Sequence, residues 1–245
     1  MKHYHLQLTA AANGIAVSAT GGVCYVAQSG SPKKAAIYTK TATGDFIAAS
    51  NPVALVNGAI DFYTLDTVQK VDLYGQAPSG VGFIKKGVFP SGDASLPIAA
   101  AGIGASVVVI PFSFADGVAA TEIQTGFRVP TLGAVMPMPL VEVTAADAGI
   151  TLEVGTLSSD AGDADGFVDV LSVATTGLKK ASLANGATTM GVLLFVQDSA
   201  NAGDKAPECD VTMQGKQITY TLLTGADTAE GFIRLPVLPA VGTLA

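Results

Sequence analysis

Apolar and polar residues alternate along most of this chain in short runs, as in "AIDFYT" (59–64), "ITLEV" (150–154) and "QITYTLL" (217–223). A period of two places successive side chains on opposite faces, so each run predicts a half-buried β-strand. In the first hundred residues the predicted strands are "HLQLT", "GIAVSAT", "GVCYVAQ", "KAAIYTK", "NPVALV", "AIDFYT" and "KVDLYGQ". Beyond residue 105 they are "SVVVIPFSF", "EIQTGFRV", "LVEVT", "ITLEVGTL", "GFVDVLSVA", "TMGVLLFVQ", "DVTMQ", "KQITYTLL" and "GFIRLPVL". Polar, Gly-rich segments such as "SSDAGDADG" and "SANAGDKAPE" separate them, which is the pattern of an all-β protein.

Turn chemistry sharpens this picture. Asn57-Gly58 between two strands predicts a type I′ hairpin turn, because both central positions need φ > 0. Pro52, at the head of its strand, suits an edge position where no amide donor is needed. "PSGDASLPIAAAGIGAS" (90–106) has little periodicity and is rich in Pro, Gly, Ser and Ala. It predicts a linker, with the boundary in residues 88 to 105 and β-sandwich-like domains over 1–95 and 103–245. Pro130, Pro137 and Pro139 in "VPTLGAVMPMPL" predict an extended arm over the surface. "TTGLKKASLANG" is compatible with a short helix. The chain shows no fixed-period repeat, which disfavours a solenoid or propeller.

Composition narrows the class. With 245 residues, 49% hydrophobic and 13% charged, the chain can bury a substantial core. Residues 1–100 carry net charge +2 and residues 101–245 net −9, for −7 in all. Basic residues occur as isolated pairs (Lys33-Lys34, Lys85-Lys86, Lys179-Lys180) without interleaved aromatics, so nucleic acid is not an expected partner. No apolar run reaches the roughly 18 residues of a membrane helix, and "MKHYHLQLTAAANG" lacks a secretory pattern. No membrane partner is expected, and synthesis is expected in the cytoplasm. Cys24 and Cys209 match neither a disulfide framework nor a zinc pattern and read as reduced thiols.

The titratable residues suggest little chemistry. Asp160, Asp163, Asp165 and Asp169 crowd one turn. With Gly166 at the sixth position of a calcium loop, Asp163 and Asp165 fall at the third and fifth, but Ala161 stands at the first and Ser172 at the twelfth. An acidic solvated turn is therefore expected. His3 and His5 share a strand face but have no Cys, Asp or Glu nearby in sequence, and a fraying terminus is the expected state. They are also the only histidines, which argues against Ser-His-Asp or Cys-His catalysis. Glu122, Glu142 and Glu153 read as outward-facing strand carboxylates, and the Gly-rich "AAAGIGAS" lacks a phosphate-loop Lys. No catalytic, cofactor-binding or metal residue is assigned, no cofactor is expected, and a non-enzymatic role follows.

The stretch "KKAAIYTKTATGDFIAASNPVALVNGAIDFYTLDTVQKVDLYGQAP" resembles a β-sandwich module of tailed-bacteriophage virion proteins. Ala36-Ile37-Tyr38, Asn51-Pro52-Val53, Gly58, Phe62-Tyr63 and Val71-Asp72-Leu73-Tyr74 carry the likeness, over roughly residues 20 to 90. The second half is similar in style to turn-rich domains of phage head proteins. The resemblance implies a virion component, foremost a capsid decoration (cement) protein on the head. Its partners would be the major capsid protein and, on the lattice, copies of itself, with the N-terminal module as anchor. Phe89, Phe112 and Phe114 are candidate apolar anchors. A head- or tail-fibre adhesin binding host glycans is the alternative, weakened by the absence of Trp. A polysaccharide-degrading enzyme would need a carboxylate pair that the sequence does not single out.

Overall fold

Among the described residues, the alternating segments pair into four sheets of four or five strands and one small two-stranded sheet. The computed structural model describes residues 1–10, 22–77, 80–98, 106–113, 120–131, 133–183, 188–197, 205–223 and 228–238. The protein is all-β, with 3-10 turns only at Ser158–Asp160 and Val192–Leu194 among these residues. No helix among them is long and apolar enough to cross a membrane. The expected strand over 14–20 lies outside the described residues.

The N-terminal half contains two sheets. The outer sheet has the order β4 (Phe46–Ala48), β3 (Tyr38–Lys40), β6 (Ala59–Thr64), β1 (Lys2–Ala10), β9 (Ser91–Ile98). The inner sheet has the order β5 (Val53–Ala54), β2 (Val23–Gln28), β7 (Val71–Gln76), β8 (Gly82–Val88). Tyr4, Leu6, Leu8, Ile60 and Phe62 from the outer sheet meet Cys24, Val26, Val71 and Leu73 from the inner one in a buried cluster. The Asn57-Gly58 turn forms as expected, with φ of 50° and 72° and reciprocal bonds between Val56 and Ala59 (3.1 and 2.9 Å). Beyond this pairing its arms part: β5 joins the inner sheet and β6 the outer, so the turn staples the two layers.

The C-terminal half repeats the plan. One sheet orders β10 (Ser106–Ser113), β20 (Glu230–Leu238), β13 (Leu140–Ala145) and β16 (Gly177–Lys180), with β12 (Ala134–Val135) also on β20. The facing sheet orders β11 (Ile123–Arg128), β19 (Gln217–Leu223), β14 (Thr151–Thr156) and β15 (Val168–Ser172). β17 (Phe195–Gln197) and β18 (Lys205–Pro207) form a separate hairpin. Phe112, Phe127, Ile150, Leu152, Phe167, Ile233 and Leu235 fill this core.

Several segments differ from the sequence expectation. Residues 91–98, expected in a structureless linker, form β9 and lie parallel to β1, so the predicted boundary segment includes part of the outer sheet. The remainder of the expected linker, 99–105, lies outside the described residues. In the segment 175–186, where the sequence is compatible with a short helix, Gly177–Lys180 is strand, because β13 offers an open edge and Leu140 through Val143 pair with Lys180 through Gly177; residues 184–186 lie outside the described residues. The Pro-rich arm tucks in: Ala134 and Val135 are buried, and Val135 exchanges two backbone bonds with Asp210. "DVTMQ" is a turn, since the Asp210 carboxylate accepts bonds from Thr212 N (2.8 Å), Thr212 Oγ1 (2.6 Å) and Met213 N (3.3 Å). Such local acceptors compete with strand pairing.

The central strands of the inner sheet, β2 and β7, are buried on both faces. Their second face, with Tyr25, Ala27 and Tyr74, belongs to the C-terminal core, and all six residues of β7 are buried. The junction is both apolar and polar. The Tyr74 and Phe232 rings lie 5.2 Å apart. Gln76 donates to Arg128 O (2.6 Å) and accepts from Arg128 N (2.7 Å), and Lys33 pairs with Glu230 at 3.0 Å.

Candidate functional site

The antiparallel register of β1 and β6 sets His3 opposite Tyr63 and His5 opposite Asp61. His3 and His5, two residues apart, share the solvent face of the outer sheet, and Asp61 lies diagonal to one and directly across from the other. His3 Nε2 is 2.8 Å from Asp61 Oδ1, and His5 Nδ1 is 3.3 Å from Asp61 Oδ2. The His3 ring stacks on Tyr63 (4.5 Å, 15°), and Phe46 meets Tyr63 edge-on at 5.0 Å. His5 and Asp61 also line an open cleft of about 530 Å³ with Thr39, Pro52, Val53 and Val56. The fraying expected of His3 and His5 is overturned: both lie within β1 and are paired with β6, His3 with Tyr63 and His5 with Asp61. Sequence proximity missed Asp61, 56 residues from His5, because a cross-strand partner is set by register.

A second constellation gathers at the Asp-rich turn. One ligand atom each from Glu153, Asp165 and Asp169 lies within 4.8 Å of the others. Gly155 permits this approach, since a Cβ there would stand 1.9 Å from Asp163 O. Asp163 is anchored by its backbone, with Thr156 N donating to Asp163 O at 2.7 Å and Asp163 N to Thr156 Oγ1 at 2.9 Å. Asp160 lies apart in the Ser158–Asp160 turn, where its carbonyl accepts from Lys216. Glu153 is therefore part of an acidic group rather than an isolated outward carboxylate. The set is oxygen-only, which suits hard cations, but brings together one oxygen from each of three carboxylates, against the six to eight ligands of a tight calcium site.

Crowding raises these carboxyls. A proton shared with Asp165, then burial, lifts Asp163 to about 6. Burial, followed by the neighbouring Asp charges, lifts Glu153 and Asp169 above the usual range. Between an ordinary value of 3.8 and about 6, folded Asp163 holds a proton that the unfolded chain has released. Its contribution to stability therefore falls as pH rises through that window. Asp163→Asn should raise the melting temperature near pH 7.5 and leave it almost unchanged near pH 3, below the range in which the unfolded carboxyl releases its proton. The gain should stay below about 1 kcal/mol, because solvent screens this exposed turn. Thermal melts at both pH values check it, and equal shifts at the two would contradict the assignment.

The remaining candidates are structural in their contacts. Burial acts to raise Glu122, but bonds from Ser158 N (3.0 Å), Ser158 Oγ (2.6 Å) and Thr219 Oγ1 (2.8 Å) outweigh it and hold the carboxyl low. Glu142 pairs with Arg234. Cys24 is buried, which pushes its thiol up, and Cys209 is half-buried; both are free thiols. Phe112 is wholly buried and cannot serve as a surface anchor, whereas Phe89 is 64% exposed; Phe114 lies outside the described residues.

The residues that carry the sequence resemblance occupy joints of the N-terminal half. The Asn51 carboxamide accepts from Val26 N (3.0 Å) and donates to Val26 O (2.7 Å) and Ala35 O (3.0 Å), tying two segments to the inner sheet. Asp72 accepts from Gly30 N (3.0 Å), Gly87 N (2.8 Å) and Ser29 Oγ (3.3 Å), joining the loop after β2 to β8. Ile37, Phe62, Val71 and Leu73 are core. Comparison with known protein families, curated proteins and solved structures finds no match.

Proposed function

We propose that this chain is a non-enzymatic structural component of a bacteriophage virion, a capsid decoration (cement) protein that binds the outer surface of the head. The observation that carries the reading is the placement of the resemblance residues. Asn51, Gly58, Phe62 and Val71 through Leu73 act together as the joints of a single two-sheet unit. A pattern spent on such joints specifies a scaffold, and a scaffold repeated on a lattice gains strength from many copies of one weak contact. The N-terminal half is the anchor in this proposal. It carries the less repulsive charge if the shell exterior is acidic, and it exposes Ile47 (53%) and Val56 (63%).

The test adds full-length protein to particles lacking it and measures co-sedimentation, followed by a density map of the decorated particle. Saturable binding at a repeating site on the head is expected. Ile47→Asp with Val56→Asp should weaken it at least about tenfold, because a buried charge opposes each contact. Val170→Asp with Leu178→Asp, exposed on the C-terminal half, should leave binding unchanged. Absence of co-sedimentation would overturn the decoration role, and glycan-array binding in its place would support an adhesin.

A further inference from the structure

We infer that His3, His5 and Asp61 form a binding site for a divalent transition-metal ion of the zinc class, independently of any role on a virion. Two imidazoles and one carboxylate are a borderline-soft donor set, which suits zinc and its neighbours and disfavours calcium and magnesium. One ligand atom from each lies within 4.8 Å of the others. The two nitrogen–oxygen separations are 2.8 and 3.3 Å. A tetrahedral ion with bonds of about 2.0–2.1 Å has its ligand atoms about 3.3 Å apart, so small rotations of the carboxylate and the rings admit the ion. In the metal-free chain the carboxylate accepts hydrogen bonds from the imidazoles; in the bound chain the ion takes the place of those protons.

The site is also preorganised. His3 and His5 are both in register with β6, opposite Tyr63 and Asp61, so the backbones that carry the three side chains are fixed relative to one another by one antiparallel ladder. The stack on Tyr63 restrains the His3 ring, much as outer partners orient metal-bound imidazoles elsewhere. The side chains of His3, His5 and Asp61 are 45%, 33% and 55% exposed, so an ion can enter from solvent and keep a water in its fourth position. Three protein ligands with one open position is the pattern of sites that exchange ligands rather than of closed structural ones.

The test uses untagged full-length chain stripped with EDTA. Zinc is titrated by calorimetry and cobalt by its visible absorption; neither is readily chelated by a terminal amine and deprotonated backbone amides, as copper and nickel are. One ion per chain is expected, together with a four-coordinate cobalt spectrum and a melting temperature that rises with zinc. His3→Ala, His5→Ala and Asp61→Ala should each weaken binding at least about tenfold, since losing a ligand costs no less than losing a group that hydrogen-bonds to one. Their metal-free melts should match the parent, because all three side chains reach solvent. Asp61→Asn retains the size but not the charge and should also fail to bind. Undiminished binding in the His3→Ala/His5→Ala double variant overturns the inference, as does loss of binding in Glu153→Gln alone. A parent chain that shows neither heat nor a melting shift at millimolar zinc overturns it as well.

Discussion

Tyr74→Ala is expected to destabilise the whole chain by about 3–5 kcal/mol, the cost of an aromatic cavity in a close-packed core. Tyr74 is 1% exposed and lies on the face of β7 that the C-terminal core covers. Its neighbour Leu73, wholly buried, faces the other way into the N-terminal core, and Leu73→Ala should cost about 2–5 kcal/mol. One strand thus serves two cores, and each variant should lower a single melting transition. At roughly 2–4 °C per kcal/mol for a chain of this length, the Tyr74→Ala shift is about 10 °C. Circular dichroism against temperature or denaturant measures it. Two separate transitions, with Tyr74→Ala moving only one, would show that the halves fold independently. Tyr74→Phe separates packing from polarity. The hydroxyl is buried without a hydrogen-bond partner among the described residues, and burial, with the nearby Asp72 charge, pushes it up to about 12. Removing it should leave stability unchanged or higher.

Asp72→Ala should cost about 3 kcal/mol for a different reason. The carboxylate is 2% exposed and is the acceptor for the amides of Gly30 and Gly87. Truncation leaves two backbone donors without an acceptor and removes the tie between the loop after β2 and strand β8. Asp72→Asn keeps the shape but places an NH₂ against one of the two donors, so it should recover only part of the loss. Denaturant unfolding gives the magnitude. Hydrogen exchange gives the location: in Asp72→Ala the Gly30 and Gly87 amides should exchange faster than those of β14 and β19. A loss spread evenly over both halves would argue against this local tie.

The alternation of "AIDFYT", "ITLEVG" and "QITYTLL" was sufficient to assign β6, β14 and β19, because side-chain period is a local property of the strand. Asn57-Gly58 identified its own turn for the same reason: positive φ at both positions is a demand on those two residues alone. The all-β class followed from the sum of such local preferences. Pairing is not local. Nothing near "SGDASLPI" indicates that β1 will lie parallel to it, and nothing in "GLKK" indicates the free edge of β13 that turns it into strand. The double burial of β7 requires knowing what covers its second face, and that cover comes from strands beyond residue 105. Both polar constellations have the same origin. His3 and His5 were visible as a pair but Asp61 is supplied by β6, and the Asp-rich turn was visible but Glu153 is supplied by β14. Side-chain period reports which face a residue takes, while only the tertiary register decides which residue from another strand stands beside it.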